Sequence, residues 1–383
     1  RYLEGNEAEI LSRLARIMPP GSADSLGLGD GSWLDHVAGE SSRLALAEAE
    51  LSSDYSRVKE FERESSEKGR HDLAKWAQTR GRTIASESVL SFLSRKAVLP
   101  KYGFPVDVVE LETSGGGQYG DVLLQRDLRM AIAEYAPGSS VVANKNLWTS
   151  HFVKKVAGKE WPERAYAVCR THGVLGVAPE GSDEVSLGCG CPPGPLRKYI
   201  VPMFGFTTGR SGPTEPHGRP SASFTTRPYF LGLRRDDGQI TFPERSAKPL
   251  VSITKAAPGE MLVLCQGHKA RLFFVCPACG AGFTTRKTSH EDAFGRSCRG
   301  TLKPVALGHS FVTDVVRLDF HVPGPSDAIA REWFGHSLAY ALLEGAAEAL
   351  QVPSTDLNVV VTYRGSAEGP SMVLYDDVPG GAG

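Results

Sequence analysis

Apolar residues recur at helical spacing in the first quarter of the chain and at strand spacing further on. From Ser42 to Ser66 a run rich in Ala, Leu, Glu, Arg and Lys contains no Pro or Gly. Within it Leu44, Leu46, Leu51, Tyr55, Val58 and Phe61 form an apolar stripe, which predicts a helix. A second helix is expected from about Ile84 to Arg95, on Leu90, Phe92 and Leu93, ending before Pro100. Upstream, Pro19, Pro20 and Gly21, followed by Gly27, Gly29 and Gly31, break any long element.

Beyond a turn at Lys101–Pro105, the β-branched run Val106–Leu111 predicts a strand. Gly115–Gly117 reads as a flexible loop, Gln125–Tyr135 as a helix stopped by Pro137 and Gly138, and Ser140–Ala143 as a short strand. Residues 161–303 are rich in proline and in short strand-like runs such as Tyr199–Phe206 and Met261–Leu264. Residues 306–320 predict a strand carrying Phe311, Val316, Leu318 and Phe320. Residues 331–351 predict a helix with Trp333, Leu338, Leu342, Leu343 and Leu350 on its apolar face. Asn358–Tyr363 and Met372–Tyr375 close the chain as strands. Helices and strands do not alternate regularly, so the expected class is α+β, with mixed helical and β-rich modules and zinc-stabilised knuckles. The expected division is 1–98 as a helical bracing region, 99–160 as a small α/β segment, 161–303 as a zinc-knuckle region and 304–383 as an α/β domain.

Composition limits the function. The chain has 383 residues, 41% hydrophobic and 23% charged, which is ordinary for two or three globular domains. No 18-residue apolar span exists, so no membrane partner is expected. Residues 1–20 carry acids and no apolar core segment, so a secretory signal is not expected and a cytoplasmic location is. The Arg1 start and the Gly-rich end suggest a piece of a longer protein. The net charge of −1 hides an uneven distribution. Arg197–Lys303 holds 17 Lys/Arg against 7 Asp/Glu, a net of +10, while Pro304–Gly383 holds 3 against 10, a net of −7. A basic middle points to a polyanionic partner; the plain alternative is an uneven solvated surface.

Seven cysteines, four of them in Cys-x-Cys or Cys-x-x-Cys pairs, favour metal over disulfides. One candidate set is Cys169, His172, Cys189 and Cys191, with Gly188 and Gly190 permitting the tight second turn. The other is Cys276, Cys279, His290 and Cys298, in which Cys-Pro-Ala-Cys-Gly follows the strand-like Phe273–Val275. Cys265 and His268 form a further Cys-x-x-His pair, and Cys265 equally suits a buried apolar position. Each set would fill four protein positions around Zn²⁺, so two structural zinc ions are expected and no catalytic one.

Catalytic signatures are missing from the sequence: there is no Gly-x-x-x-x-Gly-Lys-Ser/Thr, His-Glu-x-x-His or Gly-x-Ser-x-Gly. Gly380–Gly383 lacks the Lys-Ser/Thr of a phosphate loop and reads as a tight turn. His309 and Asp314 lie five apart on a strand and face opposite sides. This chain is therefore not expected to be an enzyme.

Several motifs occur together: Leu99-Pro-Lys-Tyr-Gly-Phe-Pro-Val-Asp107, Arg126-Asp-Leu128, Glu134-Tyr-Ala-Pro-Gly138, Gly308-His-Ser-Phe-Val-Thr-Asp314, Ser337–Gly345 and Leu374–Gly383. In this combination the chain resembles the region C-terminal to the motor in MrfA-type superfamily-2 helicases, with their zinc-binding MZB domain. The DrmB subunit of the DISARM system and the large Druantia helicase share that domain. The resemblance runs from about Leu90 to the end. It implies an ATP-dependent DNA translocase in the parent protein or a partner subunit, with this region bracing the motor and gripping DNA in phage defence or repair. The family's own cysteine cluster follows the Pro-Gly-Gly-Ala-Gly turn, where this chain stops, so those ligands are not transferred. Arg197, Lys198, Arg234, Arg235, Arg286 and Lys287 are the expected phosphate contacts. The rival functions are a scaffold that docks a separate motor subunit and a metal-dependent hydrolase, the latter lacking a spare carboxylate at suitable spacing.

Overall fold

A computed structural model of the chain describes residues 6–14, 27–86, 92–93, 107–113, 122–156, 158–216, 224–233, 240–242, 251–322, 324–363 and 369–377. The Gly115–Gly117 loop, the Lys101–Pro105 turn, the Gly380–Gly383 turn, most of the helix expected past Ser86, and Arg234 and Arg235 lie outside the described residues. The chain forms two compact units, Arg1–Val106 and Asp107–Gly383.

The first unit is helical: α1 (Glu7–Leu14), α2 (Ser32–Ala38), α3 (Arg43–Glu67) and α4 (His71–Ser86). Ser42 caps α3, its hydroxyl accepting from the Ala45 N–H at 3.1 Å. The helix forms where expected, but its stripe packs only in part: Val58 is buried with Ala47 and Ser65, while Leu44, Leu46 and Tyr55 are exposed. Helix α4 begins well before Ile84. Its mid-helix Gly81 obscured the pattern, although a Cβ there would make only ordinary contacts with Lys59, Tyr55 and Val58 of α3.

The second unit holds β1 (Val108–Glu112), β2 (Gln125–Asp127), α5 (Leu128–Glu134), β3 (Ser140–Ala143), β4 (Asn146–Thr149) and β5 (Phe152–Val153). It continues through β6 (Glu163–Cys169), β7 (Val174–Val177), β8 (Arg197–Ile200), β9 (Phe206–Thr207), β10 (Arg227–Leu233), β11 (Ile240–Phe242) and β12 (Val251–Cys265). The last elements are β13 (Phe273–Val275), β14 (Gly282–Phe283), β15 (His290–Glu291), β16 (Ser297–Cys298), β17 (Lys303–Phe320), α6 (Ala328–Leu350), β18 (Leu357–Tyr363) and β19 (Pro370–Asp376). Helices and several sheets in one unit make the fold α+β, as expected.

Strand β17 is the organising element. It pairs antiparallel with β12 from Val251↔Phe320 to Cys265↔Leu307, and antiparallel with β19 from Val315↔Tyr375 to Asp319↔Ser371. It also pairs parallel with β8 and antiparallel with β13. Strands from 161–303 and from 304–383 thus share one sheet. Its core includes Ile132, Tyr135, Trp148, Phe206, Phe273 and Leu307.

Two expected elements changed type. The Gln125–Tyr135 helix starts only at Leu128, because the Asp127 carboxylate accepts the Arg129 N–H as an N-cap and the preceding residues pair with β1. The Tyr199–Phe206 run is two short strands, with Pro202, which has no N–H to donate, between them. Helix α6 forms where the pattern placed it, capped by Asp327 on the Ala330 N–H at 2.8 Å. It buries Gly335, Ala339 and Ala347 rather than its large side chains. Trp333, at 71% exposure, and Leu350, at 63%, face outward, contrary to the expected apolar face.

Candidate metal centres

Strand β6 ends at Cys169, and a turn closed by the Gly173 N–H on the Cys169 carbonyl (2.9 Å) brings His172 back beside it. The second pair, Cys189 and Cys191, returns from the following loop, where the Gly190 N–H donates to the Leu187 carbonyl at 3.0 Å. The four donor atoms lie within 4.8 Å of one another. His172 presents Nδ1, which is 3.3 Å from Cys169 Sγ and 3.4 Å from Cys191 Sγ.

The second centre is built by a knuckle and a hairpin. After β13, the Gly280 N–H donates to the Cys276 carbonyl (2.8 Å) and the Cys276 N–H to the Ala281 carbonyl (2.9 Å). Gly280 is at φ 81°, and a Cβ there would overlap the Val153 carbonyl, so this turn requires glycine. Strands β15 and β16 pair His290 directly with Cys298. Cys276, Cys279, His290 and Cys298 again bring four donors within 4.8 Å.

The distances suit a tetrahedral ion. Zinc–sulfur bonds of about 2.3 Å give a sulfur–sulfur edge of about 3.8 Å, and a mixed nitrogen–sulfur edge of about 3.6 Å. Cys276 Sγ and Cys298 Sγ stand 3.8 Å apart. His290 Nε2 is buried and makes no hydrogen bond with any described residue, a polar atom left without a protein partner in the residue that joins the three thiols. The Gly300 N–H donates to Cys298 Sγ at 3.4 Å, the outer support a ligating thiolate needs.

Electrostatics point the same way. Burial pushes the Cys169 thiol up, but hydrogen bonds involving His172, Cys189 and Cys191 outweigh it and hold the thiol at about 7. Hydrogen bonding with Cys189, then burial, drives Cys191 up to about 11. Left to themselves the neighbouring thiols share a limited negative charge, and a cation at their centre lets all of them ionise. Burial likewise pushes Cys279 well above the thiol range. Both sets can therefore hold metal ions.

Cys265 belongs to neither centre. It is buried in the core, where burial raises its thiol to about 11, and His268 nearby is exposed.

A Cβ at Gly300 would sit 2.5 Å from Cys276 Sγ, 3.1 Å from Ala278 Cβ and 3.4 Å from Cys298 Sγ. Gly300→Ala is therefore expected to weaken the second centre by about 10–100-fold in chelator competition, the scale of outer-shell changes. An unchanged affinity would show that the sulfurs have more room than this geometry allows.

The expected phosphate contacts fall in different settings. Arg197 Nη1 donates to the Ala270 carbonyl at 3.1 Å. Lys198 pairs with Glu163 at 3.1 Å and Asp183 at 3.5 Å. Arg286 and Lys287 are exposed on the second knuckle.

A polar cluster escaped the sequence reading. Arg129, on α5, donates Nε to Asp127 (3.1 Å) and Nη1 to Asp377 (2.9 Å), and lies 4.8 Å over the Phe311 ring. His309 is buried, 3.5 Å from Asp107 and stacked on Phe311, while Asp314 is exposed. Asp107, Asp127, His309, Phe311, Tyr375 and Asp377 all come from the motifs that carry the resemblance, and the fold gathers them in one place. Their signal was co-occurrence of motifs; no spacing rule links residues so far apart in the chain.

No protein-family model matches the chain. It is 23% identical over 433 residues to the Druantia protein DruE of Escherichia coli (strain UMEA 4076-1), an alignment covering all of this chain and 23% of DruE. The crystal structure of the DUF1998 helicase MrfA bound to DNA aligns at a TM-score of 0.33 and 9% identity, over 78% of this chain and 28% of that one. The chain spans about a quarter of the length of either protein. Along its whole length it is similar to Druantia DruE, in keeping with the resemblance its motifs carry.

Proposed function

We propose that this chain is a zinc-binding accessory region of a bacterial ATP-dependent DNA helicase or translocase system, serving anti-phage defence or DNA repair. It braces the motor and helps hold DNA, and the nucleotide chemistry belongs to the motor. The observation that carries this reading is the end-to-end likeness to DruE, a protein about four times longer. The two centres fit it. Each offers three thiolates and one imidazole, a donor set suited to zinc, and fills four positions from protein, as structural zinc sites do. Bound there, zinc holds loops that have little apolar core of their own.

A second reading, a stand-alone scaffold subunit of the DrmB kind that docks a separate motor, is favoured by α6. Ile329, Trp333 and Tyr340 are 64%, 71% and 69% exposed along its outer side. One experiment separates the two. The full chain is titrated into labelled DNA across a salt series, and in parallel used to pull down the motor without DNA. Binding at low salt that falls steeply as salt rises supports the first reading. DNA binding absent even at low salt, with DNA-independent capture of the motor, replaces it with the second.

A further inference from the structure

We propose that the second knuckle, and not the first, is the face of this chain that binds nucleic-acid phosphates. This rests on the DNA-binding reading and narrows it to one surface. The two centres have the same donors and, with a divalent ion, the same formal charge, so the difference lies in what they display.

Between the first centre's ligand pairs and β8, residues 170–196 carry Arg170 against Glu180, Asp183 and Glu184: 1 − 3 = −2. All three acids are exposed, and the flanking Lys198 is already tied to Asp183 and Glu163. Phosphate would meet repulsion there. Around the second centre, residues 284–303 carry Arg286, Lys287, Arg296, Arg299 and Lys303 against Glu291 and Asp292: 5 − 2 = +3. Asp292 is occupied by Arg296, at 2.7 Å, and by the Phe294 and Arg296 N–H groups. Arg286, Lys287, Arg299 and Lys303 are exposed and make no ion pair with any described residue.

The loop itself is unusual. Thr284-Thr285-Arg286-Lys287-Thr288-Ser289 is six consecutive exposed residues, each with a hydrogen-bond donor in its side chain and none with a carboxylate. Cations and hydroxyls without sequence-reading amides are what contact phosphate oxygens. Both ends are pinned: β14 by its pairing with β13, β15 by His290 in the donor set. Because Cys298 lies opposite His290, Arg299 follows beside the same loop. The ion thus pre-organises the donors, which lowers the cost of ordering them on binding.

The test uses the full chain with both centres loaded, and a short fluorescein-labelled DNA in a salt series. Arg286→Gln with Lys287→Gln and Arg299→Gln removes the charges without adding repulsion. Arg164→Glu with Arg170→Glu alters the first centre's surroundings as a control. The knuckle variant is expected to bind about tenfold more weakly or worse, with a salt slope shallower by about three, from about 0.9 per phosphate contact. The control is expected to match the wild type, and both variants to keep two ions by elemental analysis. If the wild type binds and the knuckle variant binds equally well, this assignment is overturned while the DNA reading stands. If the wild type does not bind at low salt, that reading falls too. Polyglutamate competing as well as DNA would reassign the surface to an acidic protein.

Discussion

Elemental analysis is expected to find two zinc ions per chain, and one after Cys276→Ser. The serine hydroxyl stays protonated at neutral pH and cannot replace a thiolate in the donor set. Structural zinc is worth about 10–16 kcal/mol of apparent binding energy at pH 7 in isolated fingers, and that energy is folding energy. The second knuckle has little to substitute for it: its own cluster is Cys276, Ala281 and Leu302, with Phe152, Phe274 and Phe283 packed around them. The segment beyond β13 is therefore expected to lose protection in hydrogen exchange. Cys169→Ser should act elsewhere. The His172 carbonyl accepts the Tyr363 N–H at 2.9 Å, so that turn helps hold the end of β18. The Tyr363 amide should exchange faster in Cys169→Ser and not in Cys276→Ser. Cys265→Ala, in the core, should keep both ions. A wild-type chain without metal, or Cys276→Ser still holding two ions, would remove the basis for both centres.

Arg129→Ala is expected to destabilise the second unit by about 2–4 kcal/mol in urea unfolding, whereas Asp377→Asn should change it by less than about 1 kcal/mol. Arg129 is only 13% exposed and is the cation between Asp127, also 13%, and Asp377, 32%. Deleting it leaves two partly buried carboxylates without their shared cation and removes the stacking on Phe311. Asp377 behaves differently. Burial raises its carboxyl above the usual value, and Arg129, although 2.9 Å away, offsets this only in part. A group with a raised folded pKa contributes stability at low pH and loses it as pH rises through that value. At neutral pH the charged form of Asp377 is thus a net cost that asparagine removes, and its side-chain oxygen can still accept from Arg129. Equal destabilisation by the two substitutions would show that the charge of Asp377, rather than the burial of Arg129, holds this cluster together.

The legible parts were those governed by local rules. Helix α3 was found because Ser42–Ser66 is a stretch of strong helix formers without Pro or Gly, β17 because apolar residues recur along it, and β18 because it is rich in β-branched residues. The candidate donors were legible because Cys169 with His172, Cys189 with Cys191 and Cys276 with Cys279 each leave a short-range signature, and His290 and Cys298 were the best remaining ligands nearby. The expected fate of Trp333 failed for a reason of the opposite kind. Helical spacing identifies an apolar face, but α6 packs where Gly335 and Ala339 allow the strands to approach: the Tyr363 hydroxyl donates to the Arg331 carbonyl at 2.9 Å. Small residues set that contact, and periodicity counts only large ones.

Charge shows the same division. The basic excess of residues 197–303 is a property of composition, but its use is not. Arg197 and Lys198 spend their donors on a carbonyl and two carboxylates, while Arg286 and Lys287 point into solvent. Only the folded chain decides which cations already have partners. By itself the sequence determined the candidate ligands, most of the long helices and strands, and the α+β class, because these rest on local composition and spacing. The tertiary structure alone decided that Asp107, Arg129, His309 and Asp377 meet, and which helix face stays in water. Those are contacts between residues far apart in the chain, made when β17 gathers its neighbouring strands into one sheet.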